Sequence, residues 1–139
     1  MLTFVLEASS ALRFVDNEAG SDRVLEILNL AASGVCQVRM SAVNWGEVVY
    51  ILAGRKLSPA SFRFFLDILE DAIEIVPASA DRAAQAGMIK SRLHIPYADC
   101  FCVELASGSS ESVLVTADFD LKPAENNIKI EFLPQKPKP

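Results

Sequence analysis

Histidine is nearly absent from this sequence, and acidic residues outnumber basic ones. The 139 residues include 1 histidine, and 18 aspartates and glutamates face 13 lysines and arginines, which gives a formal net charge of −5. This balance does not fit a protein that binds nucleic acid through a broad basic face, although it leaves open phosphate binding through metal ions. No apolar run approaches the roughly 20 residues that span a bilayer, so the sequence predicts no transmembrane segment.

Cysteines are few and poorly spaced for either disulfides or zinc. The 3 cysteines are Cys36, Cys100 and Cys102, and their single C-x-C pair lacks the second pair that completes a zinc site. Their apolar neighbours predict reduced, buried thiols. The N-terminal residues MLTFVLEASS lack the positive region of a signal peptide and are expected to form a strand. We therefore expect a reducing, cytoplasmic compartment.

The length and composition are those of one globular domain. The apolar fraction is 51% and the charged fraction 22%, which are close to the averages of globular proteins. A chain of this length buries enough surface to hold a core without disulfides. We predict a single domain over residues 1–133 and a flexible tail of prolines and lysines over residues 134–139.

Short apolar runs alternate along the chain with segments of helical periodicity. The expected strands are Leu2–Leu6, Val35–Met40, Ile73–Val76, Val113–Thr116 and Ile128–Phe132. The expected helices are Ser9–Val15, Ser21–Ala32 with Ser21 as its N-cap, Val43–Ala53, Pro59–Asp71, a helix from Ser79 or Asp81 to Leu93, and Tyr97–Ala106. This alternation predicts an α/β fold, a three-layer α/β/α sandwich around a mainly parallel sheet of four to five strands.

Carboxylates stand where strands end and helices begin. Glu7 follows the first strand, Asp118 and Asp120 follow the fourth, and Glu47 and Asp99 lie in the first turns of helices. Taken singly, each has an ordinary explanation as a helix cap, a dipole partner or a turn former. Together at one sheet edge they would repel one another unless a cation or protons offset the charge. Such an all-oxygen set suits Mg²⁺ or Mn²⁺ rather than zinc.

Four segments that carry these acids resemble, in order, the four motifs of PIN domains. They are Val5–Leu12 (VLEASSAL), Ser41–Val48 (SAVNWGEV), Pro96–Cys100 (PYADC) and Leu114–Leu121 (LVTADFDL). Each motif alone is weak, but their order and spacing extend over residues 2–133. The resemblance therefore predicts a PIN-like fold for the whole domain.

The resemblance implies a metal-dependent endoribonuclease that uses Mg²⁺ or Mn²⁺, and proteins of this size mostly resemble the VapC toxins of toxin–antitoxin pairs. It further implies an RNA substrate, a cognate antitoxin as partner, and a homodimer. It assigns the metal-site and catalytic positions to Glu7, Glu47, Asp99 and Asp118. Asp120 would be an additional ligand or an outer acid. Ser9 and Thr116 match hydroxyls that support the acid pocket, with local capping as the alternative.

One position departs from the family pattern. The family has aspartate at the first acid, and this chain has Glu7. The extra methylene moves the carboxylate by about one bond length, and octahedral Mg²⁺ tolerates misplaced ligands poorly. Three interpretations stay open: a natural variant that is active with a shifted metal geometry, a weakened or inactive protein that keeps the fold, and an introduced substitution.

Other readings of the acids fit less well. A phosphoacceptor receiver domain needs two acids after the first strand and a late lysine, but here a single acid stands there and no lysine lies between Lys90 and Lys122. A HAD-type phosphatase needs D-x-D where this chain has E-A-S. His94 lies in a segment, RLHIP, that matches no histidine-dependent nucleophilic motif. The main alternative is a PIN-like fold kept as a binding or antitoxin-docking module without turnover, which Glu7 motivates.

Overall fold

The structure is a computed structural model that describes residues 1–137. Its strands are β1 (Thr3–Leu6), β2 (Gln37–Ser41), β3 (Glu74–Val76), β4 (Ser112–Thr116) and β5 (Lys129–Phe132). Its helices are α1 (Ala8–Val15), α2 (Ser21–Ala32), α3 (Ala42–Ala53), α4 (Pro59–Ala72), α5 (Ala80–Leu93) and α6 (Tyr97–Ala106), followed after β4 by a short 3₁₀ helix (Phe119–Ala124). Over residues 1–137, no helix has both the length and the apolar character needed to cross a membrane.

The five strands form one parallel sheet in the order β3-β2-β1-β4-β5. β1 lies at the centre, where Thr3 pairs with Gln37 on one side and with Ser112 on the other. The chain builds outward from β1 to β3 and then returns to the other side of β1 to form β4. This reversal opens a crevice at the carboxyl ends of β1 and β4, which is where open parallel sheets bind ligands.

Helices cover both faces of the sheet. Phe4 and Leu6 of β1 pack in the cluster that includes α1 to α4, whereas Val5 packs in the cluster that includes α5 and α6. Alternate residues of a strand point to opposite faces, so a strand buried on both faces is apolar throughout. The predicted three-layer α/β/α sandwich is confirmed, with a sheet of five strands.

The predicted N-cap of α2 is wrong by one residue. Gly20 occupies the cap with φ of 92°, and Ser21 is the first helical residue. The Ser21 hydroxyl donates instead to Asn17 Oδ1 at 3.0 Å. Glycine is required at position 20 because its φ is in the left-handed region and a Cβ there would lie 2.9 Å from the Leu133 Cβ. This constraint comes from the far end of the chain, where no local pattern reveals it.

Residues at the start of the predicted tail contact the domain. Arg13 is buried, and its Nη1 donates to the carbonyl oxygen of Pro134 at 2.8 Å. Lys136 Nζ pairs with Glu18 at 2.7 Å. Residues 138–139 lie outside the described residues. The domain boundary after residue 133 and the flexibility of residues 134–139 stay predictions.

Candidate metal centre

Three carboxylates meet at the crevice between β1 and β4. One oxygen from each of Glu7, Asp99 and Asp118 lies within 4.8 Å of the others. Glu7 directly follows β1, Asp118 follows β4 after one intervening residue, and Asp99 lies in the first turn of α6. Residues that are 111 positions apart, from 7 to 118, therefore converge because the parallel sheet places the ends of β1 and β4 side by side.

Glu7 is both a member of this cluster and the N-cap of α1. Its backbone is extended, with φ of −84° and ψ of 157°, and both carboxylate oxygens accept from the Ser9 backbone N–H, at 2.7 and 3.1 Å. An N-cap side chain that accepts this hydrogen bond satisfies one of the free N–H groups of the helix. The longer glutamate side chain thus folds back over the start of α1, and its carboxylate still reaches Asp99 and Asp118.

Hydrogen bonds fix the turn that carries Asp118. The Asp118 backbone N–H donates to Thr116 Oγ1 at 2.9 Å, and the Ala117 N–H donates to Ser9 Oγ at 2.9 Å. Asp118 Oδ1 accepts from the Asp120 N–H at 2.9 Å and so caps the 3₁₀ helix. The two hydroxyls that the family resemblance marked as supporting therefore bond to the backbone of the turn after β4.

A buried asparagine connects the starts of α1 and α6. Asn44 lies in α3 and is fully buried. Its Oδ1 accepts from the Ala8 N–H at 3.0 Å, and its Nδ2 donates to the Ala98 carbonyl at 3.2 Å. These backbone atoms belong to the residues next to Glu7 and Asp99. Asn44 therefore links the backbone segments from which two of the three carboxylates extend.

The role of Asn44 was not predicted from the sequence. The available signal is a single amide in a mainly apolar helix, AVNWGEVVYILA. A buried amide needs hydrogen-bond partners, so its presence indicates a specific contact. The sequence does not show which helices supply the partners.

Burial and mutual repulsion change the acidity of the cluster. Burial raises the pKa of Glu7 to about 7, against the opposing effect of its hydrogen bonds with Ser9, and the charges of Asp99 and Asp118 raise it further. Burial also raises the pKa of Asp99 to about 7, with added repulsion first from Asp118. Without a cation, the cluster therefore retains protons near neutral pH.

The donor set fits a hard divalent cation. All three side chains offer oxygen, which is the ligand type of Mg²⁺ and Mn²⁺. Opposite ligands held at about 2.1 Å from one ion are about 4.2 Å apart. A cluster whose oxygens lie within 4.8 Å of one another closes onto a single ion with small side-chain movements. A bound cation would also offset the repulsion that raises the pKa values of Glu7 and Asp99.

Glu47 and Asp120 lie near the cluster but outside the three-carboxylate group. Glu47 is on α3, at the accessible rim, where loss of solvation and then the charge of Asp118 raise its pKa. Asp120 is exposed on the 3₁₀ helix, and its charge contributes to the raised pKa of Asp99. Both are close enough to act electrostatically, and their predicted roles as ligands stay predictions.

The sequence matches the PIN domain family over residues 4–126. This match covers most of the chain, including the three converging acids. The chain belongs to the PIN domain family. Among curated proteins, none matches this sequence.

Solved structures share the same fold. A chain of the VapBC2 structure from Rickettsia felis, bound to a promoter DNA fragment, is 20% identical, with a TM-score of 0.76 over 96% of this chain and 100% of that chain. A chain of DNA-bound VapBC from Salmonella typhimurium is 22% identical, with a TM-score of 0.73 over 95% and 98%. A chain of FitAcB from Neisseria gonorrhoeae is 19% identical, with a TM-score of 0.64 over 91% and 95%.

Proposed function

We propose that this protein is a metal-dependent endoribonuclease, the toxin of a VapBC-type toxin–antitoxin pair. The observation that carries the proposal is the meeting of Glu7, Asp99 and Asp118 at the sheet crevice of a PIN domain. No histidine or thiol lies within this group. Hydrolysis of a phosphodiester by metal-held carboxylates is the chemistry that such a set supports.

The three carboxylates would hold Mg²⁺ or Mn²⁺. When bound there, such an ion would lower the pKa of a water molecule and stabilise negative charge on the phosphate. Asp118, whose backbone N–H donates to Thr116 Oγ1, would be one of the residues that hold the ion and could orient the attacking water. Glu47 at the accessible rim adds a further carboxylate to the entrance of the site. Asn44 and Ser9 bind backbone rather than substrate, so they position the carboxylates and do not react.

The proposal includes an antitoxin partner and a homodimer. The similar solved structures are of VapBC and FitAB assemblies, and α3 and α4 expose Tyr50 and Phe64, at 79% and 59% of their surfaces. Exposed aromatic side chains are common anchors of protein interfaces. Light scattering on the purified chain tests the dimer, whose mass is twice the 15.1 kDa of the monomer. Three unpaired, buried cysteines support a reducing, cytoplasmic compartment.

The decisive experiment is RNA cleavage by the purified, antitoxin-free chain. We expect cleavage with Mg²⁺ or Mn²⁺ and none with EDTA. Asp99→Asn removes one charged oxygen ligand and should reduce the rate by at least about 100-fold. Asp71→Asn is the matched control, because Asp71 is an exposed aspartate at the end of α4, and it should cleave like the parent.

Glu7→Asp separates the proposed enzyme from the inactive binding module. Glu7 already reaches the cluster, so we expect the parent to cleave and Glu7→Asp to cleave as well. Cleavage only by Glu7→Asp would mean that the site is intact but weakened at this one residue. If neither the parent nor Glu7→Asp cleaves RNA, and the folded protein also fails to bind Mn²⁺, the binding module is favoured.

A further inference from the structure

A cavity of about 440 Å³ lies beside the three carboxylates. One wall is His94, Ile95 and Pro96, which immediately precede α6 and its Asp99. The other wall is Phe119, Asp120 and Pro123 of the 3₁₀ helix, which begins directly after Asp118. The cavity therefore opens next to the position where a scissile phosphate would bind, although none of its six lining residues belongs to the carboxylate group.

Phe119 and His94 supply the aromatic and imidazole groups among the residues that line this cavity. The Phe119 ring stacks on Phe132, with centroids 5.0 Å apart and planes 11° apart. His94 is the C-cap of α5, with φ of 56°, a left-handed conformation that is uncommon for residues other than glycine. Aromatic and imidazole faces of this kind stack on unpaired nucleobases. Lys122 Nζ lies over the Phe119 ring, 5.8 Å from its centroid.

Asp120 supplies a carboxylate to the cavity, and this carboxylate lies outside the three-carboxylate group. Asp120 is exposed, and its backbone N–H is fixed by Asp118 Oδ1 at 2.9 Å. A carboxylate only accepts hydrogen bonds, and it binds most strongly to two parallel N–H donors. Among the RNA bases, guanine alone presents two adjacent donors on one edge, N1–H and N2–H. Adenine and cytosine present one exocyclic amino group, and uracil presents one ring N–H.

We propose that this cavity binds a guanine base of the RNA strand adjacent to the cleaved phosphodiester, with Asp120 accepting from its N1–H and N2–H. The base stacks against the His94 ring, Phe119 forms the facing wall, and the phosphate lies over the carboxylates. This inference rests on the proposed ribonuclease function and adds a sequence preference to it. It assigns Asp120 to the recognition of substrate rather than to the metal.

Inosine in place of guanosine tests the contact, because hypoxanthine lacks the 2-amino group and is otherwise the same base. Short RNA oligonucleotides with a single guanosine or inosine are compared with the parent and with Asp120→Asn. The parent should cleave next to guanosine about tenfold faster than next to inosine, and Asp120→Asn should cleave both at the same reduced rate. Equal loss on every substrate, together with a higher Mn²⁺ requirement, would make Asp120 a metal ligand and overturn the proposal.

A binding measurement without turnover keeps this result separate from the ribonuclease proposal. His94 is the only histidine, so its ring proton signal in NMR reports directly on the cavity. In EDTA, guanosine should shift this signal at a concentration several-fold lower than inosine does, and Asp120→Asn should remove the difference. The nucleosides carry no phosphate for the metal-free carboxylates to repel, so no shift with either one would overturn the proposal.

The two experiments together distinguish the possible failures. RNA cleavage without any guanosine preference would contradict the cavity and leave the ribonuclease function intact. Selective binding of guanosine by a chain that cleaves no RNA would contradict the ribonuclease function and support the guanine cavity.

Discussion

Glu7 is a carboxylate that the fold removes from water and places beside two others. It is 4% exposed, and burial raises its pKa from 4.5 to about 7. The Ser9 N–H offsets part of the cost of burying this charge, and a bound cation would offset more of it. This side chain thus both caps α1 and is a candidate metal ligand. When no metal is present, its buried charge lowers the stability of the fold.

The first prediction concerns the charge of Glu7 in the metal-free protein. The folded state holds the proton more tightly than the unfolded state. The stability from this group is therefore complete below pH 4.5 and is lost as the pH rises through about 7. Glu7→Gln keeps an acceptor for the Ser9 N–H without the charge. In EDTA at pH 8, the free energy of unfolding of this variant should exceed that of the parent by about 1–3 kcal/mol.

Denaturant unfolding at pH 4.5 and pH 8 measures this difference. At pH 4.5 the parent carries a protonated Glu7, so the two proteins should have similar free energies of unfolding. A difference of the same size at both pH values would show that the charge of Glu7 is not its cause.

At the scale of elements, α3 links the two helices whose first turns carry the site. Asn44 bonds to the backbone of α1 at Ala8 and of α6 at Ala98. The Ala8 N–H is one of the free donors at the start of α1 and would otherwise be buried and unpaired, whereas the Ala98 carbonyl lies inside α6 and gains a second hydrogen bond. The arrangement couples the position of Glu7 to that of Asp99 through one amide.

The second prediction is that Asn44→Leu disturbs both stability and metal affinity. The buried Ala8 N–H loses its partner, at about 1–3 kcal/mol, and the Ala98 carbonyl loses one hydrogen bond, at about 0.5–1.5 kcal/mol, so we expect a total loss of about 1.5–4.5 kcal/mol. We also expect Mn²⁺ affinity to fall by at least about tenfold, because supporting residues of this kind orient the ligands. Asn44→Asp keeps the acceptor for Ala8 but loses the donor to Ala98, and it should also weaken Mn²⁺ binding.

Leu52→Ala is the matched control for loss of stability alone. Leu52 is fully buried further along the same helix, and its truncation should cost about 2–5 kcal/mol. Calorimetry at a temperature where all variants are folded should give parent-like Mn²⁺ affinity for Leu52→Ala. If Leu52→Ala weakened metal binding as much as Asn44→Leu, the effect would be general destabilisation and not positioning.

At the scale of the whole molecule, the site joins segments from both halves of the chain. Glu7 comes from the first strand connection, Asp99 from α6 and Asp118 from the end of β4. A ligand that binds all three is bound by the folded state alone, so binding adds directly to the free energy of unfolding. Metal binding should therefore stabilise the entire domain.

The third prediction measures this linkage by thermal unfolding. Mn²⁺ at about 100 times its Kd adds about 2.7 kcal/mol, which for a domain of this size raises Tm by on the order of 10 °C. Asp99→Asn should lose most of this increase, whereas Asp71→Asn should retain it. An equal increase in all three proteins would indicate that Mn²⁺ binds elsewhere.

The sequence by itself determined the order of the elements and the set of acids. Apolar runs such as TFVL and SVLVT fix the strands because they are buried on both faces. Helix periodicity and caps fix the helices to within one or two residues, as at Ser41 and Ser79, which both cap through their side chains. These signals are local, and the family motifs depend on the same local order, so the α/β sandwich and the PIN family were predictable.

Only the tertiary structure decided which of these acids meet. Glu7, Asp99 and Asp118 converge because the strand order places β1 beside β4, whereas Glu47 and Asp120 remain outside the group. The bonds of Asn44 join residues 36 and 54 positions away. Such contacts depend on how helices pack over the sheet, and no periodicity or spacing in the chain encodes them locally.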